Sequence, residues 1–107
     1  MTPTKLTATD VHELIGAADR PLILYFGAEW CPPCHAIAPV LAEIEAEHGD
    51  RLSIVPLDVD VVPELVVQFS IASAPTLVVM NDGRAELRIV GARPKAALLE
   101  MLSPYLG

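Results

Sequence analysis

Leu22-Ile23-Leu24-Tyr25-Phe26-Gly27-Ala28-Glu29-Trp30-Cys31-Pro32-Pro33-Cys34 is the stretch on which the reading of the whole chain turns. Its first five residues form an unbroken run of large apolar and aromatic side chains, the pattern of a strand buried on both faces. Ile37, Val40, Leu41 and Ile44 then recur at three and four, which marks an amphipathic helix to about His48. Gly49 is the expected stop. The cysteines lie where the strand hands over to the helix. With Cys31 at the N-cap, Pro32 and Pro33 take the first two helical positions, whose N–H groups have no intrahelical acceptor in any case. Cys31 is then expected to be exposed beside the positive end of the helix dipole, with Cys34 recessed one turn along and aimed at it. Lowering a thiol pKa from about 8.5 to about 7 raises the thiolate fraction at neutral pH from a few per cent to about half. The pair reads as a redox-active dithiol with its nucleophile first.

Outward from this centre, the remaining pattern alternates between helix and strand. Lys5–Thr7 is a short candidate strand. Thr9 or Asp10 can cap a first helix over about Asp10–Ala18, with Val11, Leu14 and Ile15 at helical spacing. Leu52–Asp58 is a strand containing Pro56, and a proline deletes a ladder donor, so a bulge or irregularity is expected there. Pro63–Phe69 suits a short helix with proline in its first turn. Thr76–Met80 is another strand, joined through the turn signal Asn81-Asp82-Gly83 to an alternating partner at Ala85–Val90. A last helix runs from Pro94 to about Leu106, burying Ala97, Leu98, Met101 and Leu102. The order βαβαβαββα predicts an α/β domain with a mixed central sheet and helices on both faces.

Length and charge bound the rest. The chain has 107 residues, the size of one domain over 1–107, and about 65% of the unfolded surface of such a chain can be buried without disulfide staples. Seven Lys and Arg face fourteen Asp and Glu, for a net charge of −7. The seven cations are scattered, so no basic patch for nucleic acid or anionic lipid is expected. No apolar run approaches the roughly 20 residues that span a bilayer. The first residues, Met1 to Thr7, have no apolar stretch of the signal-peptide kind, so a complete chain would stay in the cytoplasm. In that reducing compartment a lone cysteine pair is catalytic or metal-binding rather than structural, and a disulfide closing so small a loop would remove little unfolded-state entropy.

Phe26-Gly27-Ala28-Glu29-Trp30-Cys31, followed by the dithiol and a helix with Ala38-Pro39, resembles thioredoxin. Asp58-Val59-Asp60, Ala74-Pro75-Thr76, Asn81-Asp82-Gly83 and Val90-Gly91-Ala92 extend the resemblance in the same order and spacing, from about Leu6 to Leu106. The resemblance implies the thioredoxin fold and a thiol–disulfide oxidoreductase, a cytoplasmic reductase of protein disulfides. Cys31 would attack the substrate disulfide and Cys34 would resolve the mixed disulfide. Pro75 would be the family's cis-proline beside the dithiol, and Ala74 would offer its backbone to an extended substrate. Trp30 and the Gly91-Ala92 turn would belong to the apolar rim that substrates touch. Pro39 would be the helix-kinking proline. The resemblance further implies a monomer with no bound cofactor, whose dithiol is regenerated by a thioredoxin reductase-like partner drawing on NADPH. The chain itself has no clustered glycines of the dinucleotide-binding kind.

Two departures from the family bear on the chemistry. Pro32-Pro33 stands where Gly-Pro is usual, which removes a backbone donor near the sulfurs. Tyr25 replaces the family's buried aspartate, and Pro56 its nearby lysine. A phenol with a pKa of about 10 is a poor base at pH 7, and a missing buried anion no longer raises the thiol pKa. Cys31 is therefore expected to be acidic for the family and the resolving step slow; a titration placing the Cys31 pKa above about 8, near a free thiol, would count against this.

Other readings of the same residues are weaker. Cys31-Pro32-Pro33-Cys34-His35 also spells the C-x-x-C-H signature of c-type haem attachment, but Met80 and Met101, the available distal ligands, sit in apolar runs. A structural zinc site needs four ligands, and His12 and His48 lie far in sequence from Cys31, Cys34 and His35. An iron–sulfur cluster would need two chains. His35 reads as a solvent-facing neighbour whose charge tunes the cysteines when protonated. Glu43, Glu45 and Glu47 read as a solvated face, and Asp58 and Asp60 as capping or loop residues. The rival in a different class is a thioredoxin-like binding or folding-helper module with weak redox turnover.

Overall fold

The computed structural model of the chain describes residues 6–106. Among these the order is α1 (Ala8–Ala17), β1 (Leu22–Gly27), α2 (Pro32–His48), β2 (Ser53–Asp58), α3 (Pro63–Gln68), β3 (Thr76–Asn81), β4 (Arg84–Val90) and α4 (Lys95–Met101), with a 3-10 turn at Ser103–Tyr105. The expected first strand falls partly outside the described residues, at Lys5, and Leu6 and Thr7 are not in a strand. Thr7 instead caps α1: its Oγ1 accepts from the Asp10 amide at 3.1 Å, and Asp10 Oδ2 accepts from the Thr7 amide at 2.9 Å. This reciprocal capping box moves the helix start ahead of the Thr9 or Asp10 cap read from the sequence. It also holds the Asp10 carboxyl below the usual carboxylate range, through hydrogen bonds to Thr7.

The sheet order is β2-β1-β3-β4. β1 pairs parallel with β2 and antiparallel with β3, while β3 and β4 form the antiparallel hairpin. The parallel pair requires a crossover, which α2 supplies. Asp82 and Gly83 turn the hairpin with φ of 52° and 76°. Two left-handed residues suit the twist of a two-residue loop, and glycine adopts that conformation without strain. The expected irregularity at Pro56 is absent: the β1–β2 register runs unbroken through Tyr25↔Pro56. The register shift falls instead in the hairpin, between Val79 and Met80.

β1 is buried at every position, and alternation along it separates two cores. Ile23 and Tyr25 face Ile37, Leu41 and Ile44 of α2 and Leu98 of α4. Leu22, Leu24 and Phe26 pack instead with Val11 of α1, Leu65 of α3 and Phe69. Helices therefore cover both faces, as the pattern predicts. Leu14 is the exception in α1, 41% exposed because the helix meets the sheet chiefly through Val11. The last helix is also shorter than expected, since a 3-10 turn takes over at Ser103-Pro104.

The acidic run of α2 is less solvated than its composition suggests. Glu45 is half-buried, and its Oε2 accepts the Ile54 amide of β2 at 3.0 Å. Glu43 and Glu47 flank Lys95, tying α2 to α4. The hydrogen bond from Lys95 holds the Glu47 carboxyl below the usual range. No described helix is long and apolar enough to cross a membrane.

Candidate functional site

Cys31 is the N-cap of α2, with Pro32 and Pro33 in the first turn. The prolines bring no N–H, so the Cys34 amide is the first available donor, and it points at Cys31 Sγ from 3.3 Å. The same amide donates to the Cys31 carbonyl at 3.1 Å, which closes the turn. Cys31 and Cys34 form a disulfide with Cα atoms 5.2 Å apart. Sulfur is thus placed where the helix dipole and one directed N–H both favour negative charge.

The structure corrects one expectation here. Cys31 is not exposed: it and Cys34 are each 3% accessible. The cover comes from the loop ahead of β3, whose Ala74 carbonyl oxygen lies 3.5 Å from Cys31 Sγ. The Ala74–Pro75 peptide bond is cis. Thr76, buried just after it, donates from Oγ1 to the Ser73 carbonyl at 2.7 Å and braces the loop. The Gly91 amide donates to the Pro75 carbonyl at 2.9 Å, and Gly91 has φ of 87°, a conformation natural to glycine. Ala92 beside it is exposed. The Gly91-Ala92 turn and the Ala74-Pro75 loop are therefore one connected rim around the disulfide.

Trp30 stands out from this rim, 65% exposed. Its Nε1 donates to Asp60 Oδ2 at 2.8 Å, and Asp58 Oδ1 in turn accepts the Asp60 amide at 2.9 Å. The Asp58–Asp60 pair read as loop residues therefore orients the indole. Trp30 borders a shallow groove of about 150 Å³ that it shares with Val59, Val66, Ile71 and Ala72–Ala74. Among the described residues no group of three His, Cys, Asp or Glu side chains is placed to hold a metal ion.

Tyr25 lies under the dithiol from the sheet side, 1% exposed. Its hydroxyl donates to the Cys34 carbonyl at 3.2 Å, and burial pushes its pKa up, so it is a neutral donor and no base. His35 is exposed, and its Nε2–H donates to the Glu29 carbonyl at 2.5 Å. Sequence reasoning brought Cys31, Cys34, Tyr25, Trp30, Ala74, Pro75, Gly91 and Ala92 together. It read Asp60 as a capping or loop residue within the Asp58-Val59-Asp60 station and gave Gly27 no role of its own, since the indole contact of the one and the Tyr25 clearance of the other arise only in the folded chain.

A family model described as Thioredoxin matches residues 2–104. The chain is 46% identical over 96 residues to a protein named Thioredoxin from Mycobacterium tuberculosis, covering 90% of this chain and 79% of that one. It is 40% identical over 99 residues to the Thioredoxin of Bacillus subtilis, covering 92% and 95%. A Mycobacterium leprae protein named Bifunctional thioredoxin reductase/thioredoxin is 44% identical over 87 residues, which are 81% of this chain and 19% of that protein.

Proposed function

From the premise that the chain belongs to the thioredoxin family and is a thiol–disulfide oxidoreductase whose redox-active group is the Cys31–Cys34 disulfide, we propose that it reduces protein disulfides in the cytoplasm, with Cys31 attacking and Cys34 resolving. The observation that carries the order of attack is the Cys34 amide directed at Cys31 Sγ from 3.3 Å at the head of α2. In the dithiol this donor and the dipole stabilise a Cys31 thiolate, and the thiolate is the nucleophile. The thiolate attacks one sulfur of the substrate disulfide and expels the other as a thiolate that takes up a proton. Cys34, having lost its proton, then attacks Cys31 sulfur; the second substrate thiolate leaves and the Cys31–Cys34 disulfide forms. Two electrons pass from the dithiol to the substrate.

The remaining residues position the substrate. Ala74 presents backbone beside the sulfurs, Pro75 and the Gly91-Ala92 turn line the rim, and Trp30, Pro32 and Pro33 provide its apolar margin. Tyr25 and His35 tune the pair from the core and from solvent. Electrons return from an NADPH-dependent reductase partner; that one relative's name joins a reductase to a thioredoxin supports this direction of flow.

Equilibration of Cys31–Cys34 in defined glutathione or dithiothreitol buffers tests the reading. A reductase is expected near −270 mV; a value of about −180 to −120 mV would make the protein an oxidant or isomerase and overturn the reductase assignment.

A further inference from the structure

Tyr25 and Gly27 lie two residues apart on β1, on the same face of the strand. The Tyr25 ring belongs to the buried cluster that holds Cys31, Cys34 and Ile37. Its hydroxyl reaches the Cys34 carbonyl because residue 27 has no side chain. A Cβ on Gly27 would stand 2.8 Å from the hydroxyl oxygen, 2.9 Å from Cζ and 3.0 Å from Cε1. The glycine makes the room and the phenol fills it. A buried O–H with a directed acceptor holds that acceptor in place.

We infer that Tyr25, seated by Gly27, is a positioning residue for the second half of the redox cycle: its O–H fixes the Cys34 carbonyl, and with it the first turn of α2, where the Cys34 sulfur faces Cys31. The inference rests on Cys34 being the resolving cysteine. In the dithiol and in the mixed disulfide nothing covalent ties the two sulfurs together, so the local concentration of one at the other depends on how firmly that turn is held. The step concerned is the attack of the Cys34 thiolate on Cys31 sulfur, with formation of the Cys31–Cys34 bond, cleavage of the Cys31–substrate bond and release of the substrate thiolate. The Tyr25 contact is to the Cys34 carbonyl.

Tyr25→Phe keeps the ring and removes the hydroxyl. In glutathione buffers the equilibrium constant for dithiol plus oxidised glutathione going to disulfide plus two reduced glutathione is expected to fall about three- to tenfold, the range one hydrogen bond supports. The mixed disulfide is expected to live longer by a similar factor. Gly27→Ala, which displaces the hydroxyl and keeps the phenol, is expected to shift the constant in the same direction, and it serves where Tyr25→Phe does not fold. Equal destabilisation of the oxidised and reduced forms, with an unchanged constant, overturns the positioning role. Wild-type protein without Cys31-dependent turnover would instead overturn the reductase reading, so the two failures are distinguishable.

Discussion

Cys31→Ser is expected to lower turnover in a protein-disulfide reduction assay by about a thousandfold or more, because a serine hydroxyl at neutral pH supplies no nucleophile comparable to a thiolate. The site leaves no substitute: Cys34 is the chain's other cysteine, and it lies one helical turn along α2, with its carbonyl held by Tyr25. Cys34→Ser is expected to fail differently. Cys31 can still attack, but the intermediate has no internal thiol to release it, so a covalent adduct with the substrate accumulates and is freed by added dithiothreitol. Non-reducing electrophoresis of the two variants after mixing with a disulfide substrate checks both outcomes. An adduct on Cys31→Ser and none on Cys34→Ser would reverse the assigned roles. Partner binding unchanged in Cys31→Ser, together with cysteine-independent behaviour throughout, would favour the binding-module reading instead.

The second large effect concerns the opposite side of the sheet. Phe26 is fully buried and packs against Phe69 with ring centroids 6.0 Å apart, in the core beneath α1 and α3. Phe26→Ala is expected to cost about 3–5 kcal/mol, since the lost transfer free energy is joined by a cavity that the flanking helices close only in part. Denaturant midpoints measure this. The same variant is expected to leave the glutathione equilibrium constant within about twofold of wild type, because alternation on β1 sends Phe26 away from the face that carries Tyr25 and the cysteines. A loss of less than about 1 kcal/mol would show that the site repacks. A large change in the equilibrium constant would show that the two cores are coupled through the strand.

Much of the fold was legible because its signals are short-range. The β1–α2 junction could be placed because capping and proline rules act within one helical turn, and Cys31 at the N-cap with two prolines following is a self-consistent local arrangement. The hairpin was legible for the same reason, since Asp82-Gly83 can adopt the left-handed pair that a two-residue turn demands. Where the reading failed, a competing contact decided. The α1 cap moved to Thr7 because Asp10 could bond back to it. Pro56 caused no bulge, the parallel register with Tyr25 running straight through it. Glu45 left the solvated face for the Ile54 amide.

The sequence by itself determined an α/β chain with a dithiol at the head of its central helix, and, through the resemblance it carries, the family and its chemistry. Tertiary structure alone decided what surrounds the sulfurs. The Ala74 carbonyl meets Cys31 from 43 residues away, Asp60 holds Trp30 from 30 residues away, and the Tyr25 hydroxyl reaches Cys34 only because Gly27 leaves space. The physical reason is one of range. Backbone propensities and caps are settled by neighbours within a turn, whereas the cover over a sulfur and the seat of a phenol depend on which side chains the closed sheet brings into contact.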